Sequence, residues 1–261
     1  MRVDSRTADT YFNSTIEDFA ADVLAGITFL KKQPEVDGQR IGLIGHSLGG
    51  MIAPMVAAKS NDVVFAVLLA GSVLPPRDIS QMQRGQMLRA KGLSEDKVRR
   101  LLNSSLVLYD RLAAGEDNTS LREELREFIK LQIPAEITLT PEQLDEALKQ
   151  EMNIARSRFS TFLHTYDPHV VMRQVKCPML AMNGSLDHAV TARENLEEIE
   201  KTLSAAGNLD VAVIEFYGLN HFFQVAKTGS PFEIAQIEET ISPKVLQIMT
   251  GWIRLHVGLD K

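Results

Sequence analysis

Four short apolar runs set what this chain can fold into. They are IGLIG at 41–45, VVFAVLLAG at 63–71, PMLAMNG at 178–184 and VAVIEFYG at 211–218. The first two lack polar alternation and read as strands buried on both faces. Helical patterns lie between and around the runs. Residues 16–32 (IEDFAADVLAGITFLKK) place apolar side chains at helical spacing, with Glu17 and Asp18 near the start and Ser14 or Thr15 as the cap. Residues 48–58, 191–207 and 234–256 are expected to be further helices. Helix and strand therefore alternate with short connections, which predicts an α/β fold with a mostly parallel sheet and crossover helices.

The alternation stops between Ser72 and Val175. Long charged helical stretches such as SEDKVRRLLNSSLVLYDRLAAG and LREELREFIKLQ replace it, and Pro134 and Pro141 separate the later ones. The expected organisation is a core of residues 1–71 and 176–261 with a helical cap or lid, 72–175, inserted into it. Met82, Met87, Leu88, Leu101, Leu106, Leu108 and Phe128 are candidates for an acyl pocket in the cap, although such stripes more often pack helix on helix. Phe159 and Tyr166, near the end of the insertion, are better candidates for substrate contact.

Composition narrows the function. The chain has 261 residues, 44% hydrophobic and 24% charged, which suits an ordered globular protein. A net charge of −6 argues against a nucleic-acid partner. The single cysteine, Cys177, rules out an internal disulfide, and no apolar run approaches a membrane span. The opening MRVDSRTADT has no apolar core, so the chain as it stands reads as cytoplasmic.

Gly45-His46-Ser47-Leu48-Gly49 is a G-x-S-x-G pattern between a predicted strand and a predicted helix. In that context it marks the nucleophile elbow of the α/β-hydrolase fold, with Ser47 as nucleophile and the N–H of Leu48 as an oxyanion donor. A turn this tight is expected to require glycine at both 45 and 49. A serine needs a base and an orienting acid, which this fold supplies in the order Ser, Asp or Glu, His, from loops at strand ends. SLDHAV follows the third run and offers Asp187. GLNHFFQ follows the fourth and offers His221. No cofactor or metal is called for.

The other candidates are weaker. His188 neighbours Asp187 on the wrong loop for a base and is a pocket candidate. His46 sits in the elbow and packs under it or reaches substrate, and Phe222 also reaches the pocket. The run HTYDPH, with His164, Asp167 and His169, lacks a metal-binding helical register because Pro168 interrupts it. His256 is expected at the surface, and Glu215 is a weaker alternative to Asp187. Asn183 is an amide and cannot be the acid. Cys177 is expected to be a small core residue.

At these residues the sequence resembles the α/β-hydrolase superfamily, in particular bacterial esterases near the dienelactone hydrolases and the catalytic domains of prolyl oligopeptidases. The matching segments are EDFAADVLAGITFLKKQPEVDGQRIGLIGHSLGG, CPMLAMNGSLDHAV and GLNHFFQVAKTGSPFEIAQIEETISPKVLQIMTGWI. The resemblance implies a serine carboxylesterase acting on small or short-chain esters with Ser47, Asp187 and His221. A thioesterase, acyltransferase or peptidase with the same triad, or a non-catalytic relative used for binding, are the alternatives. One departure stands out. Relatives carry three or four strands before the nucleophile strand, and here RVDSR resembles only the end of the last of these. The strand at 41–45 would then be an open sheet edge, which suggests a homodimer formed through that edge. The loop that normally gives a second oxyanion N–H would be missing too, favouring activated short-chain esters over amides.

Overall fold

The computed structural model describes residues 10–133 and 137–259. RVDSR and Pro134 lie outside these. The chain forms two compact units, one of sheet and helix, residues 16–79 and 167–259, and one of helices, residues 80–166 with residues 10–15.

The sheet unit runs α1 (Ile16–Leu30), β1 (Leu43–His46), α2 (Leu48–Lys59), β2 (Ala66–Leu69), then α8 (Pro168–Met172), β3 (Met179–Gly184), α9 (Ala192–Ala205), β4 (Val211–Phe216) and α10 (Pro243–His256). The four strands are parallel and adjacent in chain order. Leu43 pairs with Ala66, Ala66 with Met179, and Met179 with Val211. All their carboxyl ends therefore fall at one rim. The two-residue period of the strands sorts the core. Ala66, Leu68, Met179 and Ala181 join Ala53, Leu196 and Ile199 on one face. Val67, Leu69, Leu180 and Met182 join Phe223 and Val245 on the other.

Strands β2 and β3 are buried along their whole length, β2 as its unbroken apolar character predicts. β1 departs from the expectation of burial on both faces. It pairs with β2 on one side, no other strand pairs with it among the described residues, and Ile44 is 53% exposed. The last helix also departs. It begins at Pro243, while Ile234–Gln236 forms a single tight turn. Proline at 243 disfavours helix in the residue before it. Glu239, expected on a helix, instead accepts the backbone N–H of Val225, and Glu233 just before the expected helix accepts that of Gly229. His256, expected at the surface, is half-buried. Its side chain is 13% exposed, stacks on Trp252 with ring centroids 3.8 Å apart, and hydrogen-bonds the Trp252 carbonyl.

The helical unit contains α3 (Pro76–Ala90, entered from the sheet unit), α4 (Glu95–Ala113), α5 (Thr119–Gln132), α6 (Pro141–Ala155) and α7 (Arg158–Thr165). Asn118 caps α5. A capping box between Thr140 and Gln143, with Pro141 in the first turn, starts α6. Leu88, Leu101, Leu108 and Phe128 pack helix on helix with Leu112, Leu125 and Met152, while Met82 and Leu106 are half-buried and Met87 is exposed. Residues 72–79 and 167–175 fall with the sheet unit, inside the boundaries expected for the insertion, because Val73, Met172 and Val175 are core residues beside β2 and β3. Residues 10–15 join the helices through Tyr11 against Phe159 and the Arg158 guanidinium on the Asn13 carbonyl.

Candidate active site

Ser47 stands between β1 and α2 with φ 53° and ψ −115°. A non-glycine residue with positive φ away from the left-handed helical well is strained by about 1–3 kcal/mol and persists only where its surroundings enforce it. The enforcement is visible. The Ser47 N–H donates to the Leu69 carbonyl at 2.9 Å, and the Gly50 N–H donates to the Ser47 carbonyl at 2.9 Å. Leu48 heads α2, where first-turn N–H groups have no partner within the helix.

The glycine requirement differs from the one read from the motif. A Cβ at Gly45 would run into the Gly49 carbonyl, so that glycine is obligatory. A Cβ at Gly49 meets nothing. The second obligatory glycine is Gly50, whose Cα packs on Gly71 at the end of β2. Gly50→Ala is expected to cost about 1–3 kcal/mol and to lower Tm by roughly 3–10 °C. Gly49→Ala should leave Tm unchanged or slightly raised. Thermal melts followed by circular dichroism distinguish the two.

Asp187 lies in a tight turn past β3, closed by its N–H on the Gly184 carbonyl at 3.0 Å. Its carboxylate is buried and fully engaged. Oδ1 accepts the N–H groups of Ala189 and Val190, both at 2.8 Å. Oδ2 accepts His221 Nδ1 at 2.8 Å and Asn183 Nδ2 at 3.3 Å. Two hydrogen bonds tie the loop after β3 to the loop after β4. Leu186 N–H donates to the Leu219 carbonyl at 2.9 Å, and Gly218 N–H donates to Ser185 Oγ at 2.8 Å.

His221 sits on a loop built around a buried asparagine. Asn220 Oδ1 accepts the N–H groups of Phe222 and Gln224, each at 3.0 Å, and its amide donates to Gln224 Oε1 at 2.9 Å. Phe223, at φ 59°, turns into the core against Phe216. His46 adds a third hold. Its Nε2–H donates to the His221 carbonyl at 2.9 Å, and its ring lies 4.8 Å from that of His221. Burial pushes the His46 imidazole below its ordinary value of 6.5, against the opposing pull of its bond to the His221 carbonyl, so the ring is a neutral donor at neutral pH. Phe222 is partly exposed and flanks both imidazoles, each at 5.4 Å.

Asp187 and His221 are therefore brought together, with Ser47 next to the His46 that holds the His221 loop. Among the described residues neither Ser47 Oγ nor His221 Nε2 makes a hydrogen bond. His188 is engaged elsewhere, its Nε2 donating to the Thr228 carbonyl at 2.8 Å. Phe159 and Tyr166 lie in the helical unit, against Tyr11 and Phe162 respectively. Glu215 is exposed on β4. Burial raises the Cys177 thiol to about 11, which keeps it protonated and inert. Among the described residues no cluster of three or more His, Cys, Asp or Glu side chains suits a metal ion, and no helix is long and apolar enough to cross a membrane. The supporting asparagines, 183, 195 and 220, carry no sequence motif. Their one signal is a polar residue at the end of a buried apolar strand or inside a tight loop.

The chain is similar in part to known proteins. Residues 24–125 match the family model described as BAAT / Acyl-CoA thioester hydrolase C terminal. The chain is 24% identical over 234 residues to Esterase EstD of Thermotoga maritima, covering 89% of this chain and 46% of that protein, so it spans about half the length of that curated relative. Among solved structures, an esterase of Pyrococcus furiosus aligns with TM-score 0.49 and 14% identity over 92% of this chain and 62% of its own. A structure from work on carboxylesterases of Nitrososphaera gargenis aligns with TM-score 0.47 and 14% identity, over 95% and 74%. With a parallel sheet, a strained serine at the strand-to-helix turn, and an aspartate and a histidine paired at the next strand ends, the sheet unit carries the α/β-hydrolase fold.

Proposed function

We propose that this chain is a serine hydrolase that cleaves carboxylic esters through an acyl-enzyme. The supporting observation is the 2.8 Å pairing of His221 Nδ1 with a buried Asp187 carboxylate, on loops that share a sheet rim with the strained Ser47. In this reading His221 Nε2 takes the Ser47 proton as Oγ attacks the ester carbonyl carbon. The oxyanion that forms accepts the Leu48 N–H at the head of α2. His221 then protonates the departing alcohol. Water, deprotonated by the same nitrogen, releases the acid and restores Ser47. Asp187 holds the tautomer with Nδ1–H and stabilises the imidazolium. Phe222, the partly exposed ring beside His221, is the proposed apolar wall for the substrate.

The test is reaction with a fluorophosphonate probe and turnover of p-nitrophenyl acetate and butyrate. Labelling confined to Ser47, with ester turnover, is the expected result. An unlabelled Ser47 would favour a non-catalytic binding protein. A second reading, thioester cleavage, is favoured by the match of residues 24–125 to a family model that includes acyl-CoA thioester hydrolases. Acyl-CoA turnover, followed by thiol release, separates it from the first. Acyl transfer and peptide cleavage use the same groups and are read in the same assay with an added alcohol or an aminoacyl anilide.

The edge position of β1 among the described strands supports one further proposal. That edge and the exposed Ile44 suit pairing with β1 of a second copy. Light scattering after size exclusion is expected to give a dimer that Ile44→Lys converts to monomer. A monomer at micromolar concentration without the substitution removes the proposal.

A further inference from the structure

Asn183 is the last polar residue of an otherwise apolar strand, and it is 1% exposed. Its two N–H groups have two targets, Asp187 Oδ2 at 3.3 Å and the Val190 carbonyl at 3.2 Å. Its carbonyl oxygen accepts Asn195 Nδ2 at 3.2 Å. Asn195, on α9 and fully buried, also donates to the Gly71 carbonyl at 2.7 Å and accepts the Val73 N–H at 3.0 Å. With both of its own ends committed to backbone, Asn195 can present only a donor to Asn183. Asn183 can then present only a donor to the carboxylate. The direction of the amide is thereby fixed from the end of β2.

We infer that Asn183 is a positioning residue for the acid–base pair: it holds Asp187 Oδ2 in line with His221 Nδ1 and draws off part of its negative charge. The inference rests on the serine-hydrolase reading above. Two effects follow when the donor is lost. The carboxylate is freer to rotate about its Oδ1 bonds, which misaligns the imidazole. Oδ2 also becomes the stronger partner for a protonated imidazole, so protonation of His221 competes with catalysis at higher pH. The titratable groups facing His221 among the described residues are Asp187 and His46. His46 is held neutral by burial.

The experiment measures the rate of fluorophosphonate labelling of Ser47 against pH, by mass spectrometry of the labelled peptide, in wild type, Asn183→Ala and Asn183→Ser. Asn183→Ala is expected to slow labelling roughly tenfold at neutral pH, as loss of an orienting outer partner does elsewhere. It should also move the midpoint of the acid limb upward by about half a unit. Serine, which can donate and accept, should recover part of both. A purely structural amide would lower Tm and leave the midpoint of the folded protein where it was. A folded variant with an unmoved midpoint overturns the inference while the triad stands. Loss of the fold in both variants overturns it too, since the amide is then a core group with no separate bearing on the base. Wild-type protein whose Ser47 does not label removes the hydrolase reading itself.

Discussion

Ser47→Ala is expected to lower kcat on p-nitrophenyl butyrate by ~10⁴–10⁶-fold with KM little changed, because the residue that forms the acyl-enzyme is gone while the groups that bind substrate remain. The fold should survive. Alanine meets the same positive φ as serine, and the Ser47 side chain makes no capping hydrogen bond that the substitution would remove. The backbone bonds to Leu69 and Gly50 are independent of the side chain. Turnover and a thermal melt on the same preparation check both halves. Activity that persists at wild-type level would take Ser47 out of the mechanism. A collapsed melting curve would mean that the elbow depends on the hydroxyl in a way its bonding does not indicate.

Asp187→Asn is expected to cost ~10⁴-fold in kcat, by a route that can be traced atom by atom. Oδ1 accepts two backbone N–H groups, from Ala189 and Val190. An asparagine must keep its oxygen there, because an NH₂ group would face two donors. Its NH₂ is then turned toward His221 Nδ1. The imidazole can answer only by losing the proton from Nδ1 and carrying it on Nε2, the nitrogen that has to accept from Ser47. The base is disabled with every heavy atom nearly in place. The same NH₂ would confront the Asn183 amide donor, so a modest loss of Tm should accompany the loss of rate. Steady-state kinetics with a melting curve test it. A variant within tenfold of wild type would show that Asp187 does not set the tautomer.

Much of this was legible in the sequence, for reasons that can be named. β2 is buried on both faces, and a strand in that setting loses its polar alternation, so VVFAVLLAG declares itself. α2 begins at Leu48, directly after the motif serine. Asp187 and His221 could be picked because each lies just past a strand end, and parallel strands deliver their ends to one rim. What was hidden depends on contacts between distant segments. Gly50 is needed because Gly71 lies against it, and Gly49 is not, although the motif names 49. The asparagines at 183 and 195 owe their effect to each other across twelve positions of chain. The residues from Ile234 to Ser242 have helical composition, yet Glu239 among them is drawn off to the Val225 N–H of a neighbouring loop. Ile44 is apolar in a run that reads as interior, and its exposure follows from the place of β1 in the sheet order.

The sheet order carries a kinetic consequence. β2 and β3 are neighbours at the centre of the sheet, yet residues 80–166 of the helical unit lie between them in the chain. Bringing their ends together from an unstructured chain costs loop entropy that rises by about 0.6 kcal/mol with each doubling of the loop. The helices need only local contacts and can form ahead of that closure, shortening the span the chain must search. The late, rate-setting event in refolding is then the meeting of Ala66 with Met179, and destabilising the helices should slow the appearance of the sheet.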